Sequence, residues 1–108
     1  MAAPERFNLI TDMLKKDPLD SFLNYALALE YQAKGELDKA IRQLEELKKR
    51  DENYLGTYYQ LGKFYEQKNQ PDKAIEVYKK GVEKAQEQKN NKAQGELNEA
   101  LWLIDEEQ

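Results

Sequence analysis

The chain of 108 residues is one domain's worth, long enough to bury a continuous core but only a thin one. Charged residues make up 35% and apolar ones 40%, with 5 Gly and 3 Pro, a balance that favours ordered helices and speaks against disorder or a loop-rich fold. A net charge of −4, from 17 basic and 21 acidic residues, removes the attractive field that phosphate backbones or anionic lipid require, and the absence of cysteine excludes disulfides, thiolate nucleophiles and cysteine-based zinc sites.

The first residues, Met1 to Arg6, turn polar at once and lack the apolar core of a secretion signal. The longest apolar stretch, Tyr25 to Leu29, is far too short to cross a bilayer. A cytoplasmic protein with neither a nucleic-acid nor a membrane partner is the expectation.

Residues 4–17 read as one amphipathic helix carrying Phe7, Ile10 and Met13. Sliding the chain by 34 places lays these three under Ile41, Leu44 and Leu47, and Asp17 under Asp51. The segment is therefore a lone second helix of a two-helix unit. Asp17-Pro18-Leu19-Asp20 ends it, because the residue before proline is pushed out of the helical region, and Asp20 or Asp17 can cap the next helix.

Residues 20–53 and 54–88 are two full units. The same shift pairs Tyr25 with Tyr59, Leu27 with Leu61, Tyr31 with Tyr65, Asp38-Lys39-Ala40-Ile41 with Asp72-Lys73-Ala74-Ile75, Ala28 with Gly62 and Leu44 with Tyr78. In the first unit Leu23, Leu27 and Tyr31 recur every four residues, then Leu37, Ile41, Leu44 and Leu47 at three to four, the spacing of two amphipathic helices. The break falls at Lys34-Gly35-Glu36 in one unit and Lys68-Asn69-Gln70-Pro71 in the other. Gly35 and Asn69 tolerate the left-handed conformation that ends a helix, and Pro71 suits a first turn.

Residues 90–106 carry an apolar stripe of Ala93, Leu97, Ala100, Leu101 and Ile104, which matches the first-helix pattern once two residues are inserted near Asn90-Asn91. It reads as a lone first helix capping the stack, making six helices in a single domain.

The second unit's Tyr58-x-x-Leu61-Gly62-x-x-Tyr65 and Ala74-x-x-x-Tyr78 resemble the tetratricopeptide repeat, as do Leu27-Ala28-x-x-Tyr31 and Ala40-x-x-x-Leu44 in the first. Asn24 departs from the bulky aromatic usual at the start of the motif, and the proline that often closes a repeat is present at Pro18 but replaced by Glu52 and Gln86. The resemblance implies an all-α fold, a short right-handed α-solenoid of antiparallel helix pairs. Leu27, Ala28, Tyr31, Ala40, Leu61, Gly62, Tyr65, Ala74 and Tyr78 would then form the repeat core, the small residues letting helices approach.

The resemblance also implies a protein or peptide partner held in a concave groove lined by first helices. Helical spacing then selects Phe22, Tyr25, Leu29 and Gln32 on one first helix, Gly56, Tyr59, Lys63 and Glu66 on the next, and Lys92, Glu99 and Trp102 on the capping helix. Tyr25 and Tyr59 can equally serve only to pack. Some family members clamp the C-terminal carboxylate of heat-shock chaperones with Lys and Asn side chains. Here Tyr25, Tyr59 and Leu29 occupy the corresponding places, so such a tail is not the expected ligand.

Catalysis is not expected, nor any cofactor or metal. Histidine is absent, the single serine Ser21 sits at a helix start where it would cap, and acidic pairs such as Glu45-Glu46 belong to solvated helix faces. The alternative to a partner-binding adaptor is a self-associating module, a homodimer formed through the capping helix with its Trp102 and Leu103.

Overall fold

The computed structural model describes residues 4–107, with side chains from 5 to 104, and among them every regular element is a helix. Six follow one another: α1 (Pro4–Lys16), α2 (Ser21–Ala33), α3 (Leu37–Arg50), α4 (Gly56–Gln67), α5 (Pro71–Glu87) and α6 (Asn91–Glu107). They divide into two compact units, one ending at Asp51 and one beginning at Glu52. The fold is an all-α helical repeat.

Helix ends reflect local chemistry. Asp20 caps α2, its Oδ1 accepting the Leu23 N–H at 2.8 Å. Ser21 does not take the capping role expected of it, because the residue before it already fills that position. Its hydroxyl donates instead to the Asp51 carboxylate at the end of α3. At the close of α2 and α4, Gly35 (φ 83°) and Asn69 (φ 59°) adopt the left-handed conformation expected of them. In both turns the next residue's N–H reaches back, Glu36 to Tyr31 O and Gln70 to Tyr65 O, each at 2.9 Å.

A third turn of the same kind closes α5. Asn90 N–H bonds Ala85 O at 2.9 Å and Lys89 holds φ 56°. Lys89 carries the steric cost of that conformation, which glycine does not. Lys89→Gly is therefore expected to raise stability by about 0.5–1 kcal/mol in urea unfolding, the added chain entropy of glycine offsetting part of the relief. The turn comes late because Ala85, Gln86 and Glu87 are good helix formers where the first unit has Asp51, so α5 runs 17 residues against 14 for α3. This lengthened helix is the physical source of the two-residue insertion.

In the first unit α1 packs on α2 and α2 on α3. Ile10, Leu23, Leu27, Ala28, Ala40, Leu44 and Leu47 are buried. Phe7 meets Tyr31 edge-on at 5.6 Å, and Arg6 Nε lies 2.7 Å from Glu30 Oε2. Tyr31, assigned to the core, is only half-buried, because near the end of α2 its ring is covered by Phe7 and by the distant Lys39 ammonium, 5.9 Å away. Met13 is 45% exposed whereas its counterpart Leu47 is fully buried, since no first helix precedes α1 among the described residues.

In the second unit α5 packs between α4 and α6, burying Tyr58, Leu61, Phe64, Tyr65, Ala74, Val77, Tyr78 and Ala85 together with Leu97, Ala100 and Ile104. Two glycines permit the close approaches. A Cβ on Gly62 would lie 2.1 Å from Tyr78 Cε1, and one on Gly81 2.6 Å from Tyr58 Cβ.

Asn24 and Tyr58 share a task despite their different chemistry. Tyr58 donates its hydroxyl to Glu52 O at 2.5 Å, and Asn24 donates Nδ2 to Pro18 O at 3.0 Å, the carbonyl at the same place in the repeat. The shorter Asn24 side chain also bonds Asp20 O at 2.8 Å and accepts Gln43 Nε2 at 2.6 Å. Asparagine thus holds the incoming loop by hydrogen bonds where tyrosine does so by reach.

Candidate partner-binding site

Two helix faces carry the residues selected from the sequence, one in each unit. On α2, Phe22, Tyr25, Leu29 and Gln32 form one row, turned away from the buried Leu23, Asn24, Leu27 and Ala28. Phe22 is 63% exposed beside Leu19 at 66%, while Tyr25, Leu29 and Gln32 are half-buried.

On α4, Tyr59, Lys63 and Glu66 recur at four and three residues and are all half-buried. They are engaged with one another and with α5. Tyr78 crosses α4 at Gly62 and donates its hydroxyl to Glu66 Oε2 at 2.5 Å, with its ring 6.4 Å from that of Tyr59. The Lys63 ammonium lies 5.4 Å from the Tyr59 ring centre and 3.8 Å from Glu66 Oε2. The glycine at position 62 is what lets the fully buried phenol of Tyr78 pass across the first helix to reach Glu66.

Burial, then the hydrogen bond and charge of Glu66, push the Tyr78 phenol far above its ordinary value of 10.0. In the same unit the buried Lys84 ammonium lies 3.2 Å from Glu52 and 3.5 Å from Glu87. The Glu52 hydrogen bond raises its pKa against the opposing effect of burial. Both groups hold their proton to higher pH folded than unfolded. Their stabilisation is therefore complete at neutral pH and is lost as pH rises past about 10. Tyr78→Phe is expected to cost about 1–2 kcal/mol at pH 7 and to flatten the alkaline decline, both read from urea midpoints measured across that range.

Tyr59 also faces a cleft. Leu55, Gly56 and Tyr59 from the start of α4 oppose Ala93, Glu96 and Leu97 of α6 around a volume of about 140 Å³. The α6 wall thus differs from the expected row of Lys92, Glu99 and Trp102. All three are exposed, and none lines the cleft. Trp102 is 60% exposed and sits five residues after Leu97, about 140° round the helix. The stripe that buries Leu97, Ala100 and Ile104 against α5 fixes that rotation. Glu96 escapes notice in the sequence because the inserted register places Gly95 opposite Tyr59, and Ala93 and Leu97 are read there only as part of the packing stripe. Leu103, seven residues after Glu96 and within about 20° of it, is 42% exposed on the cleft side of α6.

The tetratricopeptide repeat model matches residues 23–54 and 55–88. The chain belongs to the tetratricopeptide repeat family. Repeats of this family mediate protein–protein interaction, on a fold that is not itself catalytic. The crystal structure of a tetratricopeptide repeat domain protein from Salinibacter ruber is similar at 40% identity and a TM-score of 0.75, over 80% of this chain and 96% of that one. Its solution structure matches at 40% identity and 0.77, over 79% and 86%. A crystal structure of MamA aligns at 27% identity and 0.70, over 76% of this chain and 48% of that one. None of the curated proteins matches the chain in sequence. No helix among the described residues of this tetratricopeptide repeat protein is long and apolar enough to cross a membrane.

Proposed function

We propose that this tetratricopeptide repeat chain is an adaptor that binds a peptide or protein partner on the open faces of its first helices. The observation that carries the reading is Tyr59, which fills neither core nor solvent but forms one wall of an apolar cleft in a family whose repeats bind proteins. Tyrosine offers a large contact area at low entropic cost, so it suits a hot spot. The row of Phe22, Tyr25, Leu29 and Gln32 is the corresponding surface of the first unit. Lys63 and Glu66, engaged with Tyr59 and Tyr78, act by fixing the tyrosine rather than by meeting the partner. A cytoplasmic setting accords with this role.

Affinity purification with the wild-type chain and with a Tyr25→Ala, Tyr59→Ala variant tests the proposal. A partner lost from the variant, with its melting curve still cooperative, is the expected result. Identical captures from both would remove these faces from the function. A second reading, self-association through α6, is favoured by Trp102 at 60% exposure. Sedimentation decides it, because a species that stays monomeric at high concentration eliminates the homodimer.

A further inference from the structure

We infer that the cleft between α4 and α6 is a pocket for a basic side chain, the lysine or arginine of a bound peptide, with Glu96 as its counter-charge. This rests on the reading of the chain as a protein-binding module and adds the chemistry of what one of its sites accepts.

The lining is apolar on every side but one. Leu55, Tyr59, Ala93 and Leu97 present hydrocarbon and an aromatic ring, and Glu96 is the single ionisable carboxylate among the lining residues. Some exposed acids of the chain are paired, as Asp12 is with Lys15, Glu83 with Lys80 and Glu87 with Lys84; what sets Glu96 apart is its place in an apolar lining. Glu96 has no hydrogen-bond or ion-pair partner among the described residues, and Lys92, one turn earlier on the same helix, does not pair with it. Lys63, one turn after Tyr59 on α4, is directed to Glu66.

An alkyl stem ending in a cation matches both parts of this lining. The stem buries against the leucines and the Tyr59 ring while the charged head stays at the wet rim beside the carboxylate, the behaviour of lysine and arginine wherever they cross an apolar surface. An anionic side chain or a free C-terminal carboxylate would meet Glu96 at like charge. A neutral aliphatic side chain would fill the cleft but gain nothing from Glu96.

The test is an NMR titration of the full chain, 15N-labelled, with the blocked derivatives N-acetyl-lysine N-methylamide, N-acetyl-arginine N-methylamide and N-acetyl-norleucine N-methylamide. The basic derivatives are expected to shift the amides of Gly56, Tyr59 and residues 93–97 with about fivefold higher affinity than norleucine, the size of a partly exposed ion pair. The margin should vanish in Glu96→Gln and in high salt, while Tyr59→Ala should weaken all three ligands. Glu96 is exposed, so Glu96→Gln should melt as the wild type does, and Glu96→Lys should turn the preference against cations. Equal affinity for norleucine and lysine, no shift of the cleft amides, or a preference that survives Glu96→Gln would each overturn the pocket. A partner whose capture needs Tyr59 but is indifferent to Glu96→Gln would overturn it while leaving the adaptor reading intact. Capture indifferent to Tyr59 would instead count against the adaptor.

Discussion

Gly62→Ala is expected to destabilise the chain by about 1–3 kcal/mol, although alanine is the better helix former by about 1 kcal/mol. The two principles give opposite signs, and geometry decides between them. The added methyl would lie 2.1 Å from Cε1 of Tyr78 and 2.5 Å from Cζ, a ring that is fully buried and anchored at its far end by Glu66. The ring can yield only by giving up that hydrogen bond and its packing. The first unit shows the compatible alternative, since Ala28 and Leu44 stand at the corresponding places there and both are fully buried. Adding Tyr78→Leu to Gly62→Ala should accordingly recover part of the loss. Tyr78→Leu alone should itself cost several kcal/mol through a cavity and the loss of its hydrogen bond to Glu66, which keeps Lys63 as a partner. A double-mutant cycle on urea midpoints should give a coupling of about 1–3 kcal/mol, and strict additivity would contradict the interlock.

Leu61→Ala should be costlier still, about 2–5 kcal/mol. Leu61 is fully buried, in a row with the buried Thr57 and Phe64 on α4, the helix that packs on α5. The void cannot collapse without shifting a helix. For a chain of 108 residues whose total stability is on the order of 5–15 kcal/mol, such a loss is a large fraction of the whole. Thermal and urea midpoints should fall together with an unchanged m-value. A shift below about 1 kcal/mol would mean that the site relaxes, and so that α4 is less tightly held than its burial implies.

Much of the repeat is legible in the sequence because its determinants are local or periodic. Gly35 and Asn69 announce left-handed turns by residue type, and both adopt them. Paired substitutions such as Ala28 and Leu44 against Gly62 and Tyr78 keep total volume nearly constant, so the two units align despite differing in detail. The less legible features depend on contacts that no period encodes. Lys89 takes the third left-handed turn without the composition that signals one. Asn24 looks like a defect in the motif, yet it forms three hydrogen bonds, two of them to the carbonyl of Pro18 and the amide of Gln43, which lie outside helical spacing, and the third to Asp20 O one turn back. The candidate site suffers most from the lengthened α5. A few residues of added helix rotate the choice of facing residues on α6, which is why periodicity groups Trp102 with Tyr59 and passes over Glu96.

The crossing of Tyr78 over Gly62 also bears on how such a chain can be rearranged by duplication. A breakpoint in the loop between hairpins would move each small residue together with the large one that fits it. A breakpoint inside a hairpin would join α2 to α5 and set the Ala28 methyl against a tyrosine ring, or join α4 to α3 and leave Gly62 facing a leucine too short to fill the space. The unit of exchange is therefore the matched helix pair, although the sequence repeats equally well from any starting point.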